Sequence, residues 1–193
     1  MANELNGKKI AIIATDGVEQ VELTEPRKAV EQAGATTELL SPKSGEIQAM
    51  NSDINPADKF TVDKEVGSAS VDDYDALILP GGTVNADRCR IDAGVVSFIQ
   101  DHFKAGKPAG AICHAPWELV EANLVRDRTL TSYPSVQTDI RNAGGKWVDQ
   151  EVVVDEGLVT SRSPADLPAF CAKIVEEFAE GKHPVASAGA TAA

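Results

Sequence analysis

Residues 108–121 read Pro-Ala-Gly-Ala-Ile-Cys-His-Ala-Pro-Trp-Glu-Leu-Val-Glu, a small apolar run followed by a crowded turn and an amphipathic segment. Residues 109–112 are suited to a short buried strand. Pro116 suits the first position of a helix, where its missing N–H leaves no hydrogen bond unmade. The stretch therefore predicts a strand, a tight turn and a helix, which is the repeating unit of α/β folds with a parallel sheet.

Cys113 lies in this predicted turn, where a strand ends and helical N–H groups begin. Small neighbours, Ala111 and Ala115, leave room for a crowded backbone, and a helix N-terminus favours negative charge. We therefore expect a reactive thiol whose pKa lies below the value of roughly 8.5 for free cysteine. The alternative is a buried cysteine that only ends a core strand. That alternative does not explain the adjacent His114 and the helix-starting Pro116.

Composition describes a protein with one core and an acidic surface. The chain has 193 residues, of which 42% are hydrophobic and 25% charged, so we expect a single domain over residues 1–182 and a flexible polar tail over residues 183–193. The 18 Lys and Arg against 30 Asp and Glu give a net charge of −12, which disfavours binding to nucleic acid or anionic lipid. Without a signal-peptide pattern or a long apolar run, a cytoplasmic location is expected.

Cysteine and histidine spacing argue against disulfides and metal sites. Cys89, Cys113 and Cys171 form an odd, widely spaced set, which suits free thiols in a reducing compartment. The histidines, at positions 102, 114 and 183, lack the spacing of a helical zinc pair, and no phosphate-binding glycine loop is present. We expect neither a metal nor another cofactor.

Strand and helix patterns alternate along the chain. Strands are predicted over residues 9–15, 36–40, 59–62, 76–79 and 109–112, with a hairpin formed by 147–148, 152–154 and 158–160. Helices are predicted over residues 22–33, 93–105, 136–143 and 164–180. Pro26 should lie in the first turn of its helix or bend it, and Ser163 should cap the last helix. Most of residues 42–71 are polar and show no clear pattern.

In a parallel sheet, ligands bind beyond the carboxyl ends of the strands. The loops that follow three of the predicted strands, residues 16–22, 80–90 and 113–116, should therefore meet at one edge. Gly81 and Gly82 can direct backbone N–H groups at an oxyanion, together with the N–H of His114. The two glycines also suit a plain strand-ending turn, and the two interpretations are compatible.

Three further side chains near this edge can carry protons. Glu22 has apolar neighbours, so partial burial could raise its pKa and make it a hydrogen-bond donor to a thiolate, although Glu19 and Glu22 also suit a solvated helix start. His114 could activate the thiol as a base, or lie on the surface. Asp87 is the candidate that orients His114, with a surface ion pair to Arg88 or Arg90 as the alternative.

Several motifs, in order from residue 9 to about residue 178, resemble those of the PfpI-type intracellular protease family. That family belongs to a larger class similar to the Parkinson-associated protein deglycase and to class I glutamine amidotransferase domains. The motifs are Glu19-x-x-Glu22-Leu23, Ala-Leu-Ile-Leu-Pro-Gly-Gly at 76–82, Ala-Ile-Cys-His-Ala-Pro at 111–116, Thr-Ser-Tyr-Pro at 131–134 and Thr-Ser-Arg-Ser-Pro-Ala-Asp-Leu at 160–167.

The resemblance implies a flavodoxin-like three-layer α/β sandwich with a mainly parallel central sheet. It also implies Cys113 as nucleophile, His114 as its partner, Glu22 against the sulfur, and oxyanion donors from Gly81, Gly82 and the His114 backbone. Assembly into a homo-oligomer, a dimer or a hexamer, is implied too. In the protease-like branch, a Glu from a neighbouring subunit orients the histidine. The matching segment here has one extra residue and the shorter Asp87, which departs from that pattern.

Members of the family are credited with peptidase, glyoxalase and deglycase activity, chaperone action and oxidative-stress sensing. The leading hypothesis for this chain is a stress-response enzyme in which Cys113 attacks a glyoxal-type carbonyl compound or a glycated protein, with peptidase activity also implied. The alternative is a non-enzymatic sensor or chaperone that depends on oxidation of Cys113, with the oxidised sulfur stabilised by protonated Glu22.

Overall fold

The computed structural model describes residues 4–182. In chain order, the strands are β1 (Lys9–Ile13), β2 (Thr36–Ser41), β3 (Glu46–Asn51), β4 (Asn55–Thr61), β5 (Lys64–Glu65), β6 (Ala76–Leu79), β7 (Ala109–Ile112), β8 (Thr129–Leu130), β9 (Lys146–Trp147), β10 (Val152–Asp155) and β11 (Leu158–Ser161). The α-helices are α1 (Gln20–Gln32), α2 (Thr83–Arg90), α3 (Ala93–Lys104), α4 (Pro116–Glu121), α5 (Gln137–Asn142) and α6 (Leu167–Glu180). Short 3-10 turns cover Val66–Ser68, Val71–Asp73, Pro134–Val136 and Pro164–Asp166.

Seven strands form the central sheet, in the order β10-β11-β7-β6-β1-β2-β5. All neighbouring pairs are parallel except β10 and β11, which form an antiparallel hairpin at one edge. The chain builds outward from β1 in both directions, with β2 on one side and β6 on the other. Where the strand order changes direction in this way, a crevice forms at the carboxyl ends of the central strands, and ligands bind there in α/β sheets.

Helices cover both faces of this sheet, which confirms the predicted three-layer arrangement with a mainly parallel sheet. One apolar cluster fills the space between the sheet and the helices α1 and α6, and a second fills the opposite side, against α3, α4 and α5. Strands β6, β7 and β11 are buried along their whole length. Their runs of small and aliphatic residues fit a strand that is covered on both faces.

The polar segment that shows no pattern in the sequence contains a separate two-stranded hairpin, β3 and β4. The predicted strand over residues 59–62 is only the end of β4. Most of β4 is exposed and it contains Pro56, while only Ile47 and Ala49 of β3 are buried. A hairpin with so little buried surface leaves almost no hydrophobic alternation to read.

Three local details differ from the predictions. Residues 83–90 form helix α2 rather than a loop. Pro26 is the seventh residue of α1, so it lies beyond the first turn, and the helix continues past it. Ser163 occupies the predicted N-cap position but makes no side-chain capping hydrogen bond. Glu22 nevertheless lies near the start of its helix, as predicted.

Within residues 4–182, no helix combines the length and apolar character that crossing a bilayer requires. The predicted tail over residues 183–193 lies outside the described residues.

Gly110 allows α6 to pack closely on β7. A Cβ built on Gly110 would lie 2.7 Å from Cγ2 of Ile174 and 3.0 Å from Cζ of Phe170. Gly110→Ala should therefore lower the free energy of unfolding by about 1–3 kcal/mol, since overpacked cores must move side chains or backbone. Urea unfolding measures the change.

Gly67→Ala is the matched control, because Gly67 is exposed and a Cβ there meets no atom within 4 Å. Its effect should stay within about 0.5 kcal/mol. Equal effects of the two substitutions would contradict the close packing of α6 on β7.

Candidate active site

The loops after β1, β6 and β7 meet at the carboxyl edge of the sheet. The N–H of Gly81 donates to Oε2 of Glu22 at 2.9 Å, and the N–H of Glu19 donates to the carbonyl of Gly81 at 3.3 Å. A Cβ on Gly81 would overlap the Glu22 carboxyl group and would lie 2.6 Å from Cβ of Cys113. The structure thus brings together the three loops that the sequence predicts at one site, and only glycine fits between them.

Cys113 occupies a sharp turn between β7 and α4. Its φ of 64° lies in the left-handed region, which a non-glycine residue adopts only when its surroundings impose it. Two hydrogen bonds fix this backbone: the N–H of Cys113 donates to the carbonyl of Ser161 at 3.0 Å, and its carbonyl accepts from the N–H of Tyr133 at 2.8 Å. The geometry matches that of strained strand-to-helix turns that present a nucleophile.

The imidazole of His114 turns toward the sulfur of Cys113. Nδ1 lies 3.2 Å from Sγ, and the ring stacks on Tyr133 with 4.6 Å between ring centroids. Burial lowers the pKa of His114, and the charge of Asp53 opposes this shift. A neutral imidazole at hydrogen-bond distance from a thiol is positioned to accept its proton.

Glu22 is fully buried beside Cys113. Burial raises its pKa to about 8, while hydrogen bonds with the Cys113 side chain and the Gly81 N–H act in the opposite direction. Oε2 accepts the Gly81 N–H, whereas Oε1 is buried and has no hydrogen-bond partner of good geometry among the described residues. At neutral pH, Glu22 is therefore mainly a neutral acid, and Oε1 is the oxygen that no backbone N–H occupies.

The thiol of Cys113 differs from the sequence prediction. Burial, followed by the negative charge of Glu22, raises its pKa above the ordinary value, although the N–H groups of Gly82 and His114 act to lower it. The predicted direction of the pKa shift is wrong, because the desolvation of a residue that is only 6% exposed outweighs the backbone dipoles. This shift favours the thiol form of Cys113, and protonation of Glu22 removes one of the charges that oppose its ionisation.

Gly81 and Gly82 have different functions in the turn. The N–H of Gly81 already donates to Glu22, whereas the N–H groups of Gly82 and His114 point at the sulfur. Gly82 has a φ of 94°, and a Cβ there would overlap the carbonyl oxygen of Gly17. Gly82 and His114 therefore present N–H groups to the sulfur, while Gly81 holds the carboxyl group.

Asp87 does not orient His114 within one chain. It lies on the exposed side of α2, while Asn85, Ala86 and Cys89 face inward. The predicted ion pair is not formed either, because Arg88 pairs with Asp16 at 3.5 Å and Arg90 with Glu121 at 3.2 Å. Both predictions treat residues 83–90 as a loop, whereas the helix exposes Asp87 and places the two arginines in other ion pairs.

Nε2 of His114 instead lies 3.3 Å from the hydroxyl oxygens of Thr83 and Ser135. Thr83 in turn contacts Asp53 twice, since its N–H donates to Oδ1 at 2.8 Å and its hydroxyl donates to Oδ2 at 3.1 Å. Sequence reasoning missed all three residues. The one available signal was the polar Asn51-Ser52-Asp53 run, whose residue types favour a turn.

The tip of the β3–β4 hairpin, which carries Asp53, is tied to the start of α1. The carboxylate of Glu19 accepts the N–H groups of Ser52 at 3.0 Å and Asp53 at 3.1 Å. Both residues have a positive φ. Glu19 is therefore a structural acceptor rather than a solvated carboxylate.

Asn85 supports the glycine turn from below. Its side-chain amide donates to the carbonyls of Pro80 at 3.0 Å and Gly81 at 3.1 Å, and its oxygen accepts the N–H of Thr15 at 2.7 Å. One buried side chain thus links the ends of β1 and β6.

The other cysteines lie outside the site. Cys89 is buried against Asn85 and near Glu118, and burial raises its pKa well above the ordinary value. Cys171 is half-buried on α6. Glu118 itself is fully buried in α4, and neither of its carboxyl oxygens has a hydrogen-bond partner among the described residues. Burial raises the pKa of Glu118 well above its ordinary value, which favours the neutral acid.

Acidic, thiol and imidazole side chains do not converge on a metal site within residues 4–182, where no group of three or more is arranged to hold an ion. His102 is buried on α3, with Nε2 3.0 Å from the carbonyl oxygen of Pro108. His183 lies outside the described residues.

Comparison with known proteins gives consistent matches over most of the chain. The model of the DJ-1/PfpI family matches residues 8–177. Protein/nucleic acid deglycase 2 of Escherichia coli is 39% identical over 165 residues, which cover 84% of this chain and 93% of that protein. General stress protein 18 of Bacillus subtilis is also 39% identical, over 85% of this chain and 94% of that protein.

A solved structure agrees with the fold. The crystal structure of Drosophila melanogaster DJ-1beta superposes with a TM-score of 0.80 at 26% identity, covering 93% of this chain and 91% of that one. The predicted flavodoxin-like fold is therefore confirmed.

The buried Glu22 makes stability depend on pH. Because its pKa rises from 4.5 to about 8 on folding, the folded protein retains a proton that the unfolded chain releases in this window. The stabilisation is fully present below the lower value and is lost as pH rises toward the upper one, by at most about 1.4 kcal/mol per pH unit. Glu22→Gln should therefore gain stability relative to the wild type between about pH 5 and about pH 8 in urea unfolding.

Glu25→Gln is the control, since Glu25 is exposed on the same helix and its replacement should change stability little at either pH. Parallel stability curves for Glu22→Gln and the wild type would show that Glu22 does not bind the extra proton.

Proposed function

The chain belongs to the DJ-1/PfpI family, and on this basis we propose that it is a cysteine-dependent hydrolase of small 1,2-dicarbonyl compounds and of their adducts with protein side chains. The observation that carries the proposal is the 3.2 Å contact between Sγ of Cys113 and Nδ1 of His114. At this distance, the imidazole can take the thiol proton as the sulfur attacks a carbonyl carbon.

In the first step, Sγ of Cys113 forms a bond to the aldehyde carbon of the substrate. The thiol proton moves to Nδ1 of His114, and the proton of Glu22 moves to the former carbonyl oxygen. The N–H groups of Gly82 and His114 stabilise the charge that develops on this oxygen. The products are a hemithioacetal, an imidazolium and a Glu22 carboxylate.

The second step moves hydrogen within the substrate. The Glu22 carboxylate removes the proton from the hemithioacetal carbon, and His114 protonates the neighbouring carbonyl oxygen, which gives an enediol. Glu22 then returns its proton to that neighbouring carbon while His114 takes the proton of the first hydroxyl. One substrate carbon is oxidised to a thioester and the other is reduced to an alcohol, so no external oxidant is needed.

Hydrolysis completes the cycle. Glu22 takes a proton from water as the water oxygen attacks the thioester carbon, and His114 returns a proton to the departing sulfur. The sum of the steps is one dicarbonyl molecule and one water giving one hydroxy acid. A glyoxal adduct of an amine or thiol enters the same cycle when Sγ of Cys113 displaces the side chain from the adduct carbon. The thiol proton moves to His114 and the Glu22 proton moves to the departing nitrogen or sulfur, which releases the side chain and leaves the same hemithioacetal, imidazolium and carboxylate.

Two features support this substrate class. Cys113 is only 6% exposed at a closed turn, which favours a small reacting group over an extended peptide chain. The Escherichia coli relative carries the name of a deglycase, and the Bacillus subtilis relative that of a general stress protein. Both names are consistent with repair of carbonyl damage under stress.

Cys113→Ser should abolish methylglyoxal consumption and hydroxy-acid formation, because a serine hydroxyl is a far weaker nucleophile than a thiolate at neutral pH. Enzymatic assay of the acid measures the product, and circular dichroism checks the fold. Cys171→Ser is the control, since that thiol lies on α6 and should leave turnover unchanged. Retained turnover in a pure Cys113→Ser preparation would overturn the proposal, and casein cleavage without methylglyoxal turnover would redirect it to peptidase activity.

A second candidate function is oxidation sensing, which the neutral Glu22 beside Cys113 favours. A peroxide would transfer one oxygen to the thiol to give sulfenic acid and water, and a second peroxide would give sulfinic acid. The O–H of Glu22 could then donate to the oxidised sulfur group.

Glu22→Gln separates the two functions. An amide can still donate a hydrogen bond but cannot move protons, so turnover should fall by about 100-fold or more if Glu22 acts as acid and base. Peroxide-dependent formation of sulfinic acid at Cys113, followed by mass spectrometry, should persist in the same variant. Unchanged turnover would contradict the proton-transfer role assigned to Glu22.

A further inference from the structure

We propose that Asp53 is a positioning residue that, through the hydroxyl group of Thr83, selects the tautomer of His114 whose Nδ1 lone pair faces the sulfur of Cys113. The inference rests on the proposed function, in which His114 accepts the thiol proton. It concerns a residue 61 positions away from His114 in the sequence, on a hairpin outside the central sheet.

The direction of each hydrogen bond follows from the donor inventory. A carboxylate only accepts hydrogen bonds, so both contacts between Asp53 and Thr83 must have Thr83 as the donor. The single hydroxyl proton of Thr83 is then committed to Oδ2 of Asp53. The hydroxyl oxygen has only lone pairs left for Nε2 of His114, which lies 3.3 Å away.

His114 must therefore be the donor in its contact with Thr83. A neutral imidazole has one N–H, and burial favours the neutral form of this ring. If that N–H is on Nε2, Nδ1 carries a lone pair toward Sγ at 3.2 Å. The opposite tautomer would place an N–H against the thiol and could not accept its proton.

Ser135 cannot make this selection. Its hydroxyl also lies 3.3 Å from Nε2, but Ser135 is exposed and no acceptor among the described residues fixes its hydroxyl proton. The hydroxyl can rotate to donate or to accept, so it can adapt to either tautomer.

The position of Asp53 is itself built into the fold. Its N–H and that of Ser52 donate to the carboxylate of Glu19, which lies just before α1. Asp53 therefore approaches Thr83 from a hairpin that is anchored next to Glu22. This arrangement gives the β3–β4 hairpin a function in the site, although it contributes little to the core.

Asp53→Asn gives the sharpest test. Asparagine tolerates the positive φ of position 53, and its Oδ1 can still accept the Thr83 N–H. Its amide nitrogen can only donate to the Thr83 hydroxyl, which reverses the direction of the hydrogen bonds from position 53 to His114. Thr83 should then donate to Nε2, and the imidazole proton should lie on Nδ1. Nitrogen-15 ring spectra of the substrate-free protein should show His114 protonated on Nε2 in the wild type and on Nδ1 in Asp53→Asn.

The same proposal predicts that turnover of methylglyoxal depends on the tautomer of His114. Asp53→Asn should lower kcat on methylglyoxal by about 100-fold or more with little change in KM, in the range associated with loss of a correctly protonated base. Thr83→Val should lower kcat by about tenfold or more, and Thr83→Ser, which restores the hydroxyl, should recover most of it. Ser135→Ala is the matched control and should keep the Nε2–H tautomer.

The proposal is overturned if His114 stays protonated on Nε2 in both Asp53→Asn and Thr83→Val. It is also overturned if the proton moves to Nδ1 in Ser135→Ala. The ring spectra need no substrate, so they test the positioning role even if methylglyoxal is not turned over. If the ring spectra show the predicted tautomers but the wild type does not turn over methylglyoxal, the proposed function is overturned and the positioning of His114 remains supported.

Discussion

The hydrogen bond from the Gly81 N–H to Oε2 of Glu22 connects residues 59 positions apart and sets the geometry of the site. It fixes one oxygen of a fully buried carboxyl group that also hydrogen-bonds with the side chain of Cys113. The approach is so close that no side chain fits at position 81, because it would overlap the carboxyl group and crowd Cβ of Cys113. The ends of β6 and β7 and the start of α1 therefore have to be placed together, and the sheet order that puts β1 next to β6 and β6 next to β7 achieves this.

Burial sets the protonation of this site. Desolvation raises the pKa of the Cys113 thiol and of Glu22, while it favours the neutral form of His114, whose Nδ1 lies 3.2 Å from the sulfur. The N–H groups of Gly82 and His114 point at the same sulfur. Under the proposed function, the reaction therefore depends on proton transfer that is coordinated between these three side chains.

The sequence predicts those parts of the fold that have a strong local signal. Residues 76–79 and 109–112 are short apolar runs, and Pro116 marks the turn at Cys113. Weak signals explain what the sequence does not predict. Because β4 is mostly exposed, the hairpin that carries Asp53 shows almost no hydrophobic alternation. The sequence predicts a loop where residues 83–90 form helix α2, so the predicted position of Asp87 is wrong. The predicted direction of the Cys113 pKa shift is wrong. The sequence indicates the helix N-terminus next to Cys113, but it does not indicate the desolvation that three converging loops impose.

Glu22 and Glu118 are counted among the 30 acidic residues behind the formal charge of −12. Because burial raises the pKa of both carboxyl groups, the folded molecule near neutral pH is less negative than the formal count. Unfolding near neutral pH would release these protons to the solvent, so the extended chain is the more negative form at that pH. Surface repulsion between approaching molecules is correspondingly weaker than a count of side chains suggests.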